Sequence, residues 1–317
     1  MSLSNLTVAI TSSRRGIELC HIVKSFGGIP YLVPTVGIID AGISMREVEL
    51  FINNVINQPV EYFVFMTGLS VHYLFRAASI LKLRDELVRG IRRSKVISRG
   101  NKPSFILRSL GILTTIEQGP STAEGILKVL KSREIKGKRI AVISNGNGSG
   151  SFKDELELEG SKIFDLQLYS YSSLLDKKAD SILKEMGYKQ QVKPTIQSTS
   201  KLIYDIMNGA VHVITFTSPP SVFELFKVSD MNNNILPLRS ALNEQVIVAS
   251  VGPSTSEALR QNAISVDVMP EINKMGPMIK ALSDYVSLSM NTSEVTSKVA
   301  RILKSLNKKD KQQKGPT

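Results

Sequence analysis

Internal duplication is the feature that most constrains this 317-residue chain. Runs rich in β-forming residues alternate with helical stretches in two separate βαβ patterns, over residues 7–37 and 139–169, with helices expected near 16–26 and 151–159. The two patterns superpose at an offset of 132 residues, which places Gly28 over Gly160 as the glycine that ends each helix. The chain is therefore predicted to contain two similar α/β halves.

A second pair of repeats supports the duplication. Residues 65–71 (FMTGLSV) match residues 216–222 (FTSPPSV) at an offset of 151, and Gly100 matches Gly252 at an offset of 152. Two topologies fit these repeats. Either the halves are consecutive, or the chain crosses between domains after residue 37 and returns near residue 170. Periodicity alone does not choose between them.

Composition and length fit two globular domains. Hydrophobic residues make up 42% of the chain and charged residues 21%, and no run approaches the roughly 18 apolar residues of a membrane helix. The N-terminus lacks the basic region and cleavage site of a signal peptide, so we expect a cytoplasmic protein with no membrane partner. One cysteine and three histidines provide too few ligands for a zinc cluster, so no metal site is expected.

The basic charge is concentrated in two segments. The net charge is +12, of which +3 lies in the last eleven residues and +7 in residues 76–102. The first of these segments is expected to be a disordered tail. The second includes a helix with several arginines, which forms a solvated face or steers a polyanion inward. A balance of this kind indicates an anionic partner.

Several ordered motifs carry a resemblance to a known family. Between residues 7 and 285 the chain resembles the uroporphyrinogen-III synthase family. The motifs are TSSRRGIEL at 11–19, FMTG at 65–68, KVISRGNK at 95–102, IKGKRIAV at 135–142 ahead of NGNG, LQLYSY at 166–171, FTSP at 216–219, VASVGPSTSEAL at 248–259 and MGPMIKAL at 275–282.

The resemblance implies an α/β fold of two similar doubly wound parallel-sheet domains joined by two extended linker strands. The first domain would comprise residues 1–36 and 172–290, and the second residues 37–171. Residues 291–317 would form a C-terminal helix and a basic disordered tail. This arrangement favours the crossing topology.

The resemblance also implies an activity. Members of the family are lyases of tetrapyrrole biosynthesis. They convert the linear hydroxymethylbilane to uroporphyrinogen III with loss of water, ring closure and inversion of ring D. They use no metal or organic cofactor. The substrate bears acetate and propionate groups on every ring, so anion recognition is expected, and the duplication within one chain makes a monomer sufficient.

The predicted substrate contacts share one position in the fold. Each follows a strand and opens a helix, where free backbone N–H groups and the positive helix end favour carboxylates. In the first half, Pro103 stands where the second half has Thr255, and the cations Arg99 and Lys102 flank the turn. The predicted contacts are Ser12, Ser13, Arg14, Thr67, Gly68, Arg99, Gly100, Asn101, Lys102, Asn145, Gly146, Asn147, Thr217, Ser218, Pro219, Gly252, Pro253, Ser254 and Thr255.

The residue expected to act as the acid is Tyr169, in the LQLYSY motif at 166–171. It matches the tyrosine that the family places after the strand of that motif. A neutral phenol with an ordinary pKa near 10 can donate a hydrogen bond or a proton to a departing hydroxyl at neutral pH. Tyr171 lies two residues further on the same strand face and is easily mistaken for Tyr169. The fold is expected to act mainly by holding a flexible substrate in the geometry that closes to the inverted isomer.

Simpler interpretations accompany several of these residues. Residues 145–150, NGNGSG, resemble part of a dinucleotide-binding loop with Asp165 at a suitable spacing, but the last glycine of that motif is missing. The simpler interpretation, a flexible turn lining the cleft, is therefore favoured. Adjacent Arg14 and Arg15 do not both face one ligand. Thr67 and Ser218 are alternatively plain helix N-caps.

Two other function classes remain open from the sequence. The charge fits a non-catalytic nucleic-acid-binding protein, but aromatic residues are 6% of the chain and no nucleic-acid-binding motif stands out. Two duplicated α/β halves also fit a two-domain small-molecule binding protein.

Overall fold

The computed structural model describes residues 3–115, 122–145, 150–174, 177–185, 187, 192–291, 298–302 and 306. The strands are β1 Thr7–Ile10, β2 Ile29–Leu32, β3 Gly37–Asp40, β4 Tyr62–Phe65, β5 Lys95–Ser98, β6 Arg139–Ser144, β7 Lys162–Gln167, β8 Tyr169–Ser172, β9 Val213–Phe216 and β10 Ile247–Ser250. The helices are α1 Gly16–Ser25, α2 Met45–Asn57, α3 Gly68–Ile80, α4 Arg84–Arg92, α5 Asn101–Ser109, α6 Ala123–Lys131, α7 Gly150–Leu158, α8 Lys177–Glu185, α9 Ile196–Met207, α10 Pro219–Met231, α11 Ile235–Glu244, α12 Pro253–Gln261 and α13 Met275–Asn291.

The chain forms two units, each with a four-stranded parallel sheet. Unit 1 comprises Met1–Ile38 and Ser172–Thr317, and its strand order is β10-β9-β1-β2. Unit 2 comprises Ile39–Tyr171, and its order is β5-β4-β6-β7. The linker strands β3 and β8 pair with each other in a sheet of two strands. The predicted α/β fold class is confirmed, and the pairing of β1 with β9 selects the crossing topology.

Alternating residues of the unit 1 sheet pack into cores on its two faces. Ala9, Ile214 and Val248 face a cluster with α9, α10, α11 and α12, while Val8 and Val213 face a cluster with α1 and α13. Strands covered on both faces require near-continuous apolar runs, which is why the two central strands read as β-rich segments in the sequence. Among the described residues, no helix combines the length and apolar character needed to cross a membrane.

The structure corrects one detail of the predicted duplication. Gly27, not Gly28, takes the left-handed conformation at the end of α1, with φ 86°, and it corresponds to Gly160, with φ 80°. In both repeats the N–H of this glycine and the N–H of the following residue donate to carbonyls in the last turn of the helix. The segment from β6 to β7 is one residue longer than the segment from β1 to β2. The offset is therefore 132 between β1 and β6 but 133 between β2 and β7.

A further repeated contact protects the edge of each sheet. In unit 2, the Val96 N–H donates to Thr115 Oγ1 at 2.9 Å, and the Thr115 N–H donates to the Val96 carbonyl at 2.8 Å. In unit 1, the Val248 N–H donates to Asp267 Oδ2 at 2.8 Å, and the Asp267 N–H donates to the Val248 carbonyl at 3.0 Å. Unit 1 thus uses a carboxylate where unit 2 uses a hydroxyl.

The C-terminal segment 298–302 neutralises this carboxylate. Lys298 Nζ donates to Asp267 Oδ2 at 2.7 Å and to the Leu242 carbonyl at 3.1 Å, near the C-terminus of α11. Val299 and Ile302 enter the core cluster of α1 and α13. Residues 298–302 are helical and lie within the segment predicted to contain the C-terminal helix. Residues 292–297, 303–305 and the predicted tail from 307 onward lie outside the described residues.

We expect Lys298→Met to lower the free energy of unfolding by about 3 kcal/mol, because it leaves a nearly buried carboxylate without its cation. The side chains of Lys298 and Asp267 are only 10% and 13% exposed. Adding Asp267→Thr, which installs the residue type of unit 2, should recover most of the loss. Chemical denaturation measures all three proteins.

The control is Lys280→Met, which removes a pair with Asp284 whose side chains are 69% and 56% exposed. Its cost should stay below about 0.5 kcal/mol. Equal losses for the two lysine variants would contradict the assignment of Lys298 as a buried partner.

Candidate functional site

The described members of the predicted contact set lie at the carboxyl ends of parallel strands. In unit 2 they follow β4, β5 and β6, and in unit 1 they follow β1, β9 and β10. Strand order reverses between β4 and β6 in unit 2 and between β1 and β9 in unit 1. Open α/β sheets bind ligands outside the carboxyl ends of the strands at such a switch point. Each unit therefore has its own candidate site at this carboxyl edge of its sheet.

Thr67 connects the residues at the unit 2 edge through its hydrogen bonds. Its Oγ1 accepts the Ser70 N–H at 3.0 Å, so Thr67 is the N-cap of α3. Ser70 Oγ in turn donates to the Thr67 carbonyl at 2.7 Å. The Oγ1 atom also lies 2.9 Å from Tyr169 Oη, and either hydroxyl can be the donor. Thr67 is thus both an N-cap and the hydrogen-bond partner of the predicted acid.

Aromatic packing fixes the Tyr169 ring. The ring is fully buried. It stacks on Tyr73 with centroids 5.6 Å apart and an interplanar angle of 26°, and it meets the edge of Tyr171 at 5.6 Å and 89°. The contact with Thr67 joins residues 102 positions apart and had no signal in the sequence. A rigid, buried phenol therefore points its hydroxyl at the N-cap of α3.

The β5 turn lies beside the β4 turn. A Cβ on Gly68 would come within 2.9 Å of Ile106 Cδ1 and 3.6 Å of Lys102 Cβ, so a glycine lets the first turns of α3 and α5 approach closely. Gly100 is the N-cap of α5 with φ 74°, a conformation that favours glycine. Asn101 and Lys102 are exposed on the first turn of α5. Two helix N-termini and a lysine are thereby brought together.

The β6 turn is only partly described. Asn145 is buried directly after β6, whereas the predicted contacts Gly146 and Asn147 lie outside the described residues. Asp165 on β7 accepts hydrogen bonds from Ser144 Oγ at 3.2 Å and Gln167 Nε2 at 2.7 Å. The Asp165 carboxylate, which the dinucleotide interpretation assigns to a ribose hydroxyl, is therefore already hydrogen-bonded within the sheet.

In unit 1, the β1 turn separates the two adjacent arginines. Ser12 is buried, and Ser13 and Arg14 are partly buried at the carboxyl edge. Arg15 Nε donates to Glu18 Oε2 at 2.6 Å in an exposed pair on α1. Arg15 is therefore the surface arginine of the two.

The β9 and β10 turns open α10 and α12. Ser218 is the N-cap of α10 but makes no side-chain cap hydrogen bond, and Pro219 occupies the first helical position. Gly252 is buried at the N-cap of α12, and a Cβ there would lie 2.8 Å from Asn273 Oδ1. Pro253 and Ser254 are exposed, whereas Thr255 is buried. Asn273 is an edge residue that the sequence analysis did not identify.

The arginine-rich helix α4 lies away from the carboxyl edge of unit 2. Arg92 Nε donates to the Gly111 carbonyl at 3.0 Å, beyond the C-terminal end of α5. Ser94 Oγ donates to the Val60 carbonyl at 2.7 Å, ahead of β4. These contacts belong to the amino ends of the strands, so of the two interpretations of α4 the solvated face is favoured. Within the described residues, no three His, Cys, Asp or Glu side chains are grouped as metal ligands.

Comparison with known proteins identifies the fold and the family. A family profile described as uroporphyrinogen-III synthase HemD matches residues 18–280. The uncharacterized protein YjjA of Bacillus subtilis (strain 168) is 29% identical over 88% of this chain and 95% of its own. A putative uroporphyrinogen-III synthase of Methanothermobacter thermautotrophicus is 25% identical over 85% and 94%. A crystal structure of a mutant uroporphyrinogen III synthase from the extremely thermophilic bacterium Thermus thermophilus superposes with a TM-score of 0.68 at 21% identity, covering 89% of this chain and 99% of its own.

We expect Thr67→Ala to cost about 1 kcal/mol of stability or more, because it removes a side-chain cap and the Tyr169 partner. Ser218→Ala at the equivalent position of unit 1 should cost less than about 0.5 kcal/mol, since Ser218 makes no cap hydrogen bond. Paired denaturant titrations compare the two. A larger loss at Ser218 would show that the cap assignments are reversed.

Proposed function

The chain belongs to the uroporphyrinogen-III synthase family, and we propose that it catalyses the family's reaction on hydroxymethylbilane. In this reaction the linear tetrapyrrole loses water, closes its ring and inverts ring D, giving uroporphyrinogen III for tetrapyrrole biosynthesis. The enzyme would be a lyase. The observation that carries the proposal is the repeated set of glycine and hydroxyl turns at helix N-termini on the carboxyl edges of both sheets.

The chemistry of these edges supports a polycarboxylate substrate. Backbone N–H groups of a helix's first turn have no intrahelical partner and attract carboxylates. The helices α3, α5, α10 and α12 each begin within three residues of a strand end. Lys102 and Arg99 add positive charge in unit 2, and Arg14 adds it in unit 1. The same predicted contacts therefore become the proposed substrate-binding residues.

Tyr169 is the proposed acid, and its burial suggests how it acts. Since the ring has no exposed surface, we propose that Tyr169 acts on the departing hydroxyl through Thr67, which is partly exposed. Thr67 Oγ1 accepts from the Ser70 N–H and from Tyr169 Oη, and its own proton, which faces Ser70 Oγ at 3.1 Å, can turn to the leaving group. The arrangement needs no metal or organic cofactor. A monomer contains both duplicated edges.

The activity is tested with enzymatically made hydroxymethylbilane, followed by oxidation and separation of the type I and type III products. We expect type III product above the spontaneous type I background. Type I product alone from the folded protein would contradict the proposed function. In that case a DNA affinity that falls steeply with salt would favour the nucleic-acid-binding alternative.

We expect Tyr169→Phe to lower kcat by about a hundredfold at most without abolishing turnover, because loss of hydroxide from an electron-rich pyrrole is intrinsically easy. Tyr171→Phe is the matched control and should retain nearly full kcat. Steady-state kinetics on both variants, with near-UV spectra to confirm folding, decide the assignment. Full kcat in Tyr169→Phe, or a larger loss in Tyr171→Phe, would contradict it.

A further inference from the structure

Two serine pairs occupy equivalent positions in the two units. In unit 2, Ser98 Oγ lies 2.5 Å from Ser104 Oγ. In unit 1, Ser250 Oγ lies 2.6 Å from Ser256 Oγ. Both pairs are related by the offset of 152 residues that also relates Gly100 to Gly252. The hydrogen bond is therefore a repeated part of the two turns and not a feature of one unit.

Each pair ties a strand end to the first turn of the helix that follows it. Ser98 and Ser250 are the last residues of β5 and β10 and have no exposed surface. Ser104 and Ser256 are the fourth residues of α5 and α12. The intervening residues are the glycine turns that contain the proposed carboxylate contacts. The pairs thus span these turns from the protein side.

In unit 2 the pair also contacts the turn backbone. The Gly100 carbonyl accepts from Ser98 Oγ at 3.3 Å and lies 3.5 Å from Ser104 Oγ. In a trans peptide the carbonyl and the following N–H point in opposite directions, and no described peptide bond is cis. A Gly100 carbonyl directed at the serines therefore directs the Asn101 N–H away from them. Asn101 is an exposed residue at the carboxyl edge, which fits a donor that faces outward.

In unit 1 a different set of contacts fixes the same turn. Ser256 Oγ donates to Met269 Sδ at 3.2 Å, which leaves Ser250 as the donor within the pair. The Gly252 carbonyl accepts the N–H groups of Thr255 at 3.1 Å and Ser256 at 3.0 Å. The hydroxyl chain again joins the strand end to the helix start, and here it continues to the loop after Asp267.

We propose that Ser98 with Ser104, and Ser250 with Ser256, are positioning residues that hold the two glycine turns in the geometry that binds substrate carboxylates. The proposal rests on the proposed function. A glycine turn without this support samples many conformations, and ordering it on binding costs affinity. Hydrogen bonds already formed in the free protein remove that cost before the substrate arrives.

The test uses Ser104→Ala and Ser256→Ala, with two readouts on the full-length protein. The first is KM and kcat for hydroxymethylbilane. We expect KM to rise about fivefold in each variant with kcat little changed, because the contacts act on binding of both ground and transition states. The second is hydrogen exchange of the hydrogen-bonded amides that close the first turns of α5 and α12, such as the Thr255 N–H that donates to the Gly252 carbonyl. Their exchange should be about fivefold faster in the corresponding variant.

Two controls separate positioning from a general loss of stability. Ser109→Ala changes the same helix at an exposed serine that bonds only to the Ile106 carbonyl, at 2.7 Å, and should change neither readout. Ser104→Thr keeps the hydroxyl and should restore KM to within about twofold of the wild type. If Ser104→Ala and Ser256→Ala matched Ser109→Ala in KM and exchange, the inference would be wrong.

The outcome is distinguishable from failure of the proposed function. If the wild-type protein forms only type I product, the proposed function fails, and hydrogen exchange alone then decides whether the serine pairs hold the turns. Unchanged exchange in the first turns of α5 and α12 would overturn the inference in that case as well. Type III activity with unchanged KM and exchange would overturn it while leaving the proposed function intact.

Discussion

Parallel pairing of β1 with β9 is the interaction on which the arrangement of unit 1 depends. It joins residues more than 200 positions apart, with Val8 opposite Val213. Buried side chains reinforce the pairing, because Thr11 Oγ1 donates to the Thr215 carbonyl at 2.9 Å and Thr215 Oγ1 donates to the Ala9 carbonyl at 3.0 Å. The chain must therefore pass through all of unit 2 before β9 can pair. The pairing also sets the switch point of the unit 1 sheet at the ends of β1 and β9.

The two units share a scaffold but differ at the positions that face the carboxyl edge. Arg99 and Lys102 of unit 2 correspond to Val251 and Ser254 of unit 1 at the offset of 152. The serine pairs, which lie on the protein side of the same turns, are retained in both units. Structural contacts are thus shared between the units, while the residues available to a ligand differ.

The strands and the turns could be predicted from the sequence because each depends on a local pattern or on a repeat. The crossing topology is implied only by the family resemblance, because the repeats fit two topologies. The contacts that organise the site could not be predicted. Thr67 and Tyr169 come into contact only when the chain folds. The glycine equivalent to Gly160 is Gly27 and not Gly28, because the second repeat contains one additional residue. The serine pairs did carry a signal, since both members recur at the same offset as Gly100 and Gly252. Serine next to a glycine turn is common, so only the structure shows that the hydroxyls meet.

Net charge alone does not account for the proposed binding of carboxylates. The last eleven residues hold +3 of the +12 net charge, and of the predicted contacts only Arg14, Arg99 and Lys102 are cations. The carboxyl edges therefore depend mainly on neutral donors, and each neutral hydrogen bond is weaker than a charged one. Weak donors bind a polycarboxylate well only when they are already oriented, because every turn ordered on binding subtracts from the affinity. The N-cap at Thr67 and the serine hydroxyls behind Gly100 and Gly252 provide that orientation in the free protein.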